Sequence, residues 1–262
     1  MTPPNFTTVT DAGPDSQWIT MVHGISQDMR VFSAQIDAFR ADYRLLLIDL
    51  PGHGGSAARP GPYGMTEFAA AIDAAMGAAG IEGAHYWGTH LGAASGLLLA
   101  CRKPDLFHSL VLEGPVYPGR AMPSVSAMLA RIAQAARIEG LDAARALWWA
   151  EGGWFAVMRQ RPIECRAAEH RAIIDEFQGG PWLDAGLMAL IPPVDEALAR
   201  LAIPVLIVNG EHDMQGFLDA AGALAAILPN CRRSLIEDGG GFPFWEFPDR
   251  VNARVRRFLD AA

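Results

Sequence analysis

The segment Gly88-Thr89-His90-Leu91-Gly92 sets two glycines around a central residue at the spacing G-x-S-x-G. That spacing suits a sharp turn from strand to helix, which projects the central side chain and tolerates only small neighbours. The motif's serine is replaced here by His90. An imidazole on such a turn makes no serine ester. Its chemistry is proton transfer, because a neutral ring accepts a proton at one nitrogen and donates one from the other. The alternative is a structural histidine, satisfied within the core. The elbow position favours the functional role, because the turn aims its central residue at a pocket.

Such a turn needs a strand before it and a helix after it. Ala84 to Trp87 reads as the strand, and Leu91 to Leu99 as the helix. Other segments read as strands at Trp18 to Val22, Arg44 to Asp49, Ser109 to Glu113, Ile203 to Val208 and Arg233 to Glu237. Helical spacing runs from Val31 to Phe39, from Thr66 (a candidate cap) to about Ala79, and from Val251 to Leu259. Apolar strands alternating with helices indicate a mostly parallel sheet of the α/β class, covered on both faces. The rhythm breaks between about Gly114 and Leu201, a stretch rich in Ala, Met and Trp with no clear strand. We read residues 115–201 as an inserted helical lid, and 1–114 with 202–262 as the core. Trp148, Trp149, Trp154 and Trp182 fall in the lid. Each could serve only packing, but pockets are apolar and often aromatic. Trp148 and Trp154, with Phe242 and Trp245 of a late loop, are expected to line the substrate pocket.

These segments together resemble the α/β-hydrolase superfamily, in its lid-bearing branch. Val22-His23-Gly24-Ile25 resembles the oxyanion loop, and Asp49-Leu50-Pro51-Gly52-His53-Gly54-Gly55-Ser56 resembles the G-H-G-x-S turn. Gly88 to Gly92 resembles the elbow. Val208-Asn209-Gly210-Glu211-His212-Asp213 resembles the segment that carries the triad acid, and Gly239 to Glu246 the loop that carries the triad histidine. The resemblance covers nearly the whole chain. It implies an eight-stranded sheet, Asp213 as the acid, and an oxyanion hole formed by the N–H groups of Ile25 and Leu91. It also exposes two departures: the elbow carries His90, and Gly241 stands at the histidine position. The nucleophile and its base are therefore both missing from their places.

The two departures are expected to be coupled by volume. A glycine at 241 would leave room for the His90 ring to reach Asp213. A carboxylate on one imidazole nitrogen fixes the tautomer and raises the basicity of the other. The expectation is a His90–Asp213 general acid-base dyad, with His212 and Glu113 as backup partners. Asp213 could instead cap the helix near Met214. Ser26 is the better candidate for a relocated nucleophile. Ser95, one helical turn past the elbow, should face away from the crevice. His23 and His53 are expected to hold loops, His85 to lie within its strand, and His108 and His170 to be exposed.

Composition narrows the partners. The chain has 262 residues, 51% hydrophobic, with a net charge of -8 that gives no electrostatic case for nucleic acid or an anionic membrane surface. Lys103 is the only lysine among 21 basic residues and follows a helix, which argues against Schiff-base chemistry. Three cysteines without metal-ligand spacing, and no signal-like N-terminus, fit a reduced cytoplasmic protein. No cofactor or metal is expected. The lid helices could pair in a homodimer, though nothing demands it. The expected function is acid-base chemistry on a small, largely apolar, carbonyl-bearing molecule: lyase, isomerase, cyclase or water-activating hydrolase. The alternatives are a catalytically silent binding relative and a hydrolase with a relocated nucleophile.

Overall fold

The computed structural model describes residues 2–262. Its strands are β1 Phe6–Val9, β2 Trp18–Val22, β3 Arg44–Ile48, β4 Ala84–Thr89, β5 Phe107–Glu113, β6 Val205–Gly210 and β7 Cys231–Ile236. They form one sheet in the order β1-β3-β2-β4-β5-β6-β7. All neighbours pair in parallel except β1, which runs antiparallel to β3. The expected eighth strand is not found among the described residues. Only the short, partly exposed β1 adds to the six strands read from the sequence.

Successive strand residues point to opposite faces, and both faces of β2 to β6 are buried. Met21, Leu45, Leu47, Trp87, Val111 and Val208 belong to one core cluster, whereas Val22, Leu46, Ile48, Tyr86, Leu112 and Ile207 belong to another. This explains why these strands read as largely apolar runs. The covering helices are α1 Ser33–Phe39, α2 Met65–Ala78 and α3 Leu91–Arg102, and, later in the chain, α10 Gln215–Ile227, α11 Pro243–Glu246 and α12 Pro248–Leu259. In α12, Val251, Val255, Phe258 and Leu259 are buried while Arg250, Arg254 and Arg257 face solvent. Helix α2 starts one residue before Thr66, with Gly64 as its cap and no capping side chain, so the expected Thr66 cap is not used.

Between β5 and β6 the chain forms only helices: α4 Pro123–Ile138, α5 Leu141–Glu151, α6 Ala156–Gln160, α7 Ala167–Glu176, α8 Gly180–Leu183 and α9 Asp195–Arg200, with short 3-10 turns between some of them. No helix is long and apolar enough to cross a membrane among the described residues.

Candidate active site

The elbow joins β4 to α3. His90 holds φ 46° and ψ −107°, a conformation that side-chain-bearing residues adopt only when their surroundings impose it. Three bonds impose it here. The His90 N–H donates to Glu113 O at 2.8 Å, Ala94 N–H donates to His90 O at 3.0 Å, and Tyr86 O–H donates to Gly92 O at 2.6 Å. A side chain at Gly92 would press into the β2 end, 2.5 Å from His23 O, which accounts for the glycine.

The His90 ring packs between Phe217 of α10 and Phe242, at centroid distances of 4.9 and 4.6 Å. It lies over Gly114, where a Cβ would sit 2.9 Å from Nε2. The glycine that makes room for the ring is therefore Gly114, not Gly241. At Gly241 a side chain would instead meet the Trp154 main chain, 2.7 Å from its Cα and 2.9 Å from its oxygen. Trp154, in the helical stretch between β5 and β6, occupies the place where a second imidazole would stand. Gly241 N–H also donates to Trp154 O at 3.3 Å.

The expected hydrogen bond between His90 and Asp213 is not formed. Both His90 ring nitrogens are buried without a partner among the described residues. Asp213 accepts from Asn209 Nδ2 at 2.9 Å and from Met214 N–H at 2.8 Å, so it behaves as the loop-holding residue at the α10 start. Burial alone holds the His90 imidazole down to about 3, which keeps it neutral at physiological pH. Burial drives the Asp213 carboxyl up to about 7 despite its two donors.

A cavity of about 130 Å³ lies beside the ring. Apolar cavities of ~150 Å³ accommodate a single benzene ring. His90, Ile25, Leu91, Trp148, Trp154, Phe217 and Phe242 line it together with residues of the insertion. The main-chain N–H groups of Ile25 and Leu91 have no acceptor among the described residues. Arg120 is the only charged residue in the wall among the described residues. It lies 2.8 Å from Asp195 and stacks on Tyr117 at 3.9 Å, so its charge is already met.

The other expected site residues are scattered. Trp245 is buried outside the cavity wall, and its Nε1–H donates to Cys165 O at 2.8 Å, which corrects its assignment to the pocket. Ser26 is fully buried, outside the wall, and accepts from Trp148 Nε1 at 2.8 Å. Glu113 is sealed behind the elbow and accepts from Phe244 N–H at 2.9 Å. His212 is exposed and away from the cavity wall. His170, expected at the surface, is fully buried because the face of α7 that carries it also buries Ala167, Ile173 and Ile174. Phe217 and Gly114 were not anticipated. Their signals were an aromatic one turn beyond Asp213 and a glycine directly after the strand ending at Glu113.

Three buried carboxyls, Glu113, Asp213 and Glu246, are all held above the ordinary range by desolvation, with Glu246 at about 8. In the unfolded chain Asp213 and Glu246 return to 3.8 and 4.5. The folded state then binds more protons between roughly pH 4 and 8, so its stability falls as pH rises across that window and levels off above 8. His90 and His170 act in the opposite direction. Both are depressed to about 3, so their contribution is complete above 6.5 and is lost as pH falls below it. The two sets oppose each other below 6.5, so the melting temperature should decline from about pH 6.5 to 8 and level off above. Asp213→Asn with Glu246→Gln should flatten that decline, and an unchanged slope in thermal melts from pH 6 to 9 would contradict this assignment.

The family profile of the alpha/beta hydrolase fold matches residues 17–145. The chain has the α/β-hydrolase fold, with a mostly parallel sheet and helices around it. Over 94% of its length it is 29% identical to a 2-succinyl-6-hydroxy-2,4-cyclohexadiene-1-carboxylate synthase of Enterobacter sp. (strain 638), of which 93% is covered. Over 97% of its length it is 26% identical to a pimeloyl-[acyl-carrier protein] methyl ester esterase of Stenotrophomonas maltophilia (strain K279a), of which 95% is covered. Among solved structures, the enol-lactonase from Burkholderia xenovorans LB400 superposes with a TM-score of 0.84 at 22% identity, covering 98% of this chain and 96% of that one. These relatives carry the names of enzymes.

Proposed function

We propose that the protein is an enzyme that binds a small, neutral, largely apolar carbonyl compound and moves a proton on it through His90, without an acyl-enzyme. The helices between β5 and β6 act as its lid. One observation supports the reading: at the elbow, an imidazole with no partner for either nitrogen among the described residues meets a cavity also lined by Ile25 and Leu91, whose amides have no acceptor there. Buried polar atoms without partners cost about 1–3 kcal/mol each, and catalytic need is a recognised reason to retain them.

In this arrangement a substrate carbonyl oxygen sits on the two amides, and a rotation of the imidazole brings one nitrogen to the adjacent C–H. His90 takes that proton as the electron pair moves onto the oxygen, and the imidazolium returns it to a neighbouring atom. The low dielectric that keeps the lone ring neutral also strengthens its attraction to an enolate formed beside it, so the two charges arise together. An apolar wall whose one cation is already paired favours a neutral substrate.

The test is deuterium exchange next to the carbonyl of small cyclic ketones in D₂O, followed by proton NMR. Wild type should accelerate the exchange and His90→Ala should not. A second reading, a binding protein without turnover, draws on the absence of a carboxylate behind His90. Ketones that bind without exchanging would establish that reading instead.

A further inference from the structure

For Ile25 to donate into the cavity, the loop from Gly24 to Gln27 must hold its amide there, and one bond within the loop, Gly24 N–H to Gln27 Oε1, contributes. Ser26 sits at φ 61°, in the left-handed region where a non-glycine residue needs outside support. That support comes from the insertion between β5 and β6. Trp148 Nε1–H of α5 donates to Ser26 Oγ at 2.8 Å. Gln27 Oε1 accepts from Gly24 N–H at 3.0 Å, which turns the Gln27 amide nitrogen to His170 Nε2 of α7 at 3.1 Å. The ring must then accept at Nε2 and carry its proton on Nδ1. All four side chains in these two links are fully or nearly fully buried. Tertiary side-chain bonds to Ser26 and Gln27 thus both come from the insertion, on the two residues that follow Ile25.

We infer that Trp148 and His170 are positioning residues for the Ile25 amide, so that the anion-stabilising pair is complete only when the insertion is docked. This rests on the reading of Ile25 and Leu91 as oxyanion donors. The Leu91 amide is fixed by the elbow and α3, so docking controls one donor and leaves the other in place. A substrate entering past the insertion would meet a catalytic centre that assembles as the insertion closes, which ties proton transfer to exclusion of water.

The test uses the full chain and no ligand. Exchange of the Gly24 amide is followed by NMR, with mass spectrometry of the peptide spanning the loop. Trp148→Phe and His170→Phe should each speed Gly24 exchange by about ten-fold or more. Ser26→Ala, which leaves the insertion's packing intact, should do so from the loop side if either variant fails to fold. Arg137→Gln is the control, because it removes a hydrogen bond within the insertion, to Leu183 O, that involves neither Trp148 nor His170. It should leave Gly24 within about two-fold of wild type. Unchanged Gly24 exchange in the loop-linked variants overturns the inference, and so does an equal rise in the Arg137→Gln control. Neither outcome bears on the ketone assay, which can fail independently.

Discussion

Reinstating a histidine at position 241 should destabilise the protein by about 3 kcal/mol or more and should not recover a triad. Overpacking a well-filled core typically costs about 1–3 kcal/mol when side chains can yield. Here the obstruction is the Trp154 main chain, 2.7 Å from the added Cβ at its Cα and 2.9 Å at its oxygen, and no rotamer relieves it. Relief requires displacing the segment that also supplies Trp154 to the cavity wall. Gly241→Ala should already show much of the cost, since the clash begins at Cβ. The double variant His90→Ser/Gly241→His should give no burst with p-nitrophenyl acetate. Urea denaturation at fixed pH measures the stability change. A Gly241→Ala protein as stable as wild type would show that the insertion is not packed against this loop as described.

That same position marks where the sequence stops being informative. The elbow was legible because its glycines answer a local demand: Gly92 lies against the end of β2 whatever else the fold does. The inner strands were legible because burial on both faces leaves apolar runs. A glycine replacing a histidine, by contrast, says only that a side chain is gone. Whether the space is filled by His90 or by the insertion is decided by long-range packing, and Trp154 fills it. Asp213 shows the same limit from the other side. Its place in the motif suggested a partner for His90, yet Asn209 four residues earlier and the adjacent Met214 amide supply nearer donors. His170 could have been placed correctly. Ala167, His170, Ile173 and Ile174 follow helical spacing, and that pattern puts the histidine on the buried face.

His90→Ala should lower proton exchange of a cognate ketone by about 10²- to 10⁴-fold, the range that a positioned acid-base group contributes. It should do so without lowering the melting temperature. Truncation enlarges a cavity that already exists and removes two buried nitrogens that have no partner. Loss of packing against Phe217 and Phe242 is offset by the end of that desolvation cost. A residue retained against stability and indispensable to turnover is the signature of a functional group rather than a core one. His90→Gln sharpens the distinction. The amide keeps donors and an acceptor in the pocket but cannot carry a proton between substrate atoms, so ligand binding should persist while exchange is lost. His90→Ser should be equally inactive and should not become an esterase, since neither Gly241 nor the engaged Asp213 offers it a base. If instead the alanine variant exchanged deuterium at the wild-type rate while the cavity remained occupied by the ketone, the two amides alone would carry the catalysis. His90 would then be only a wall of the pocket.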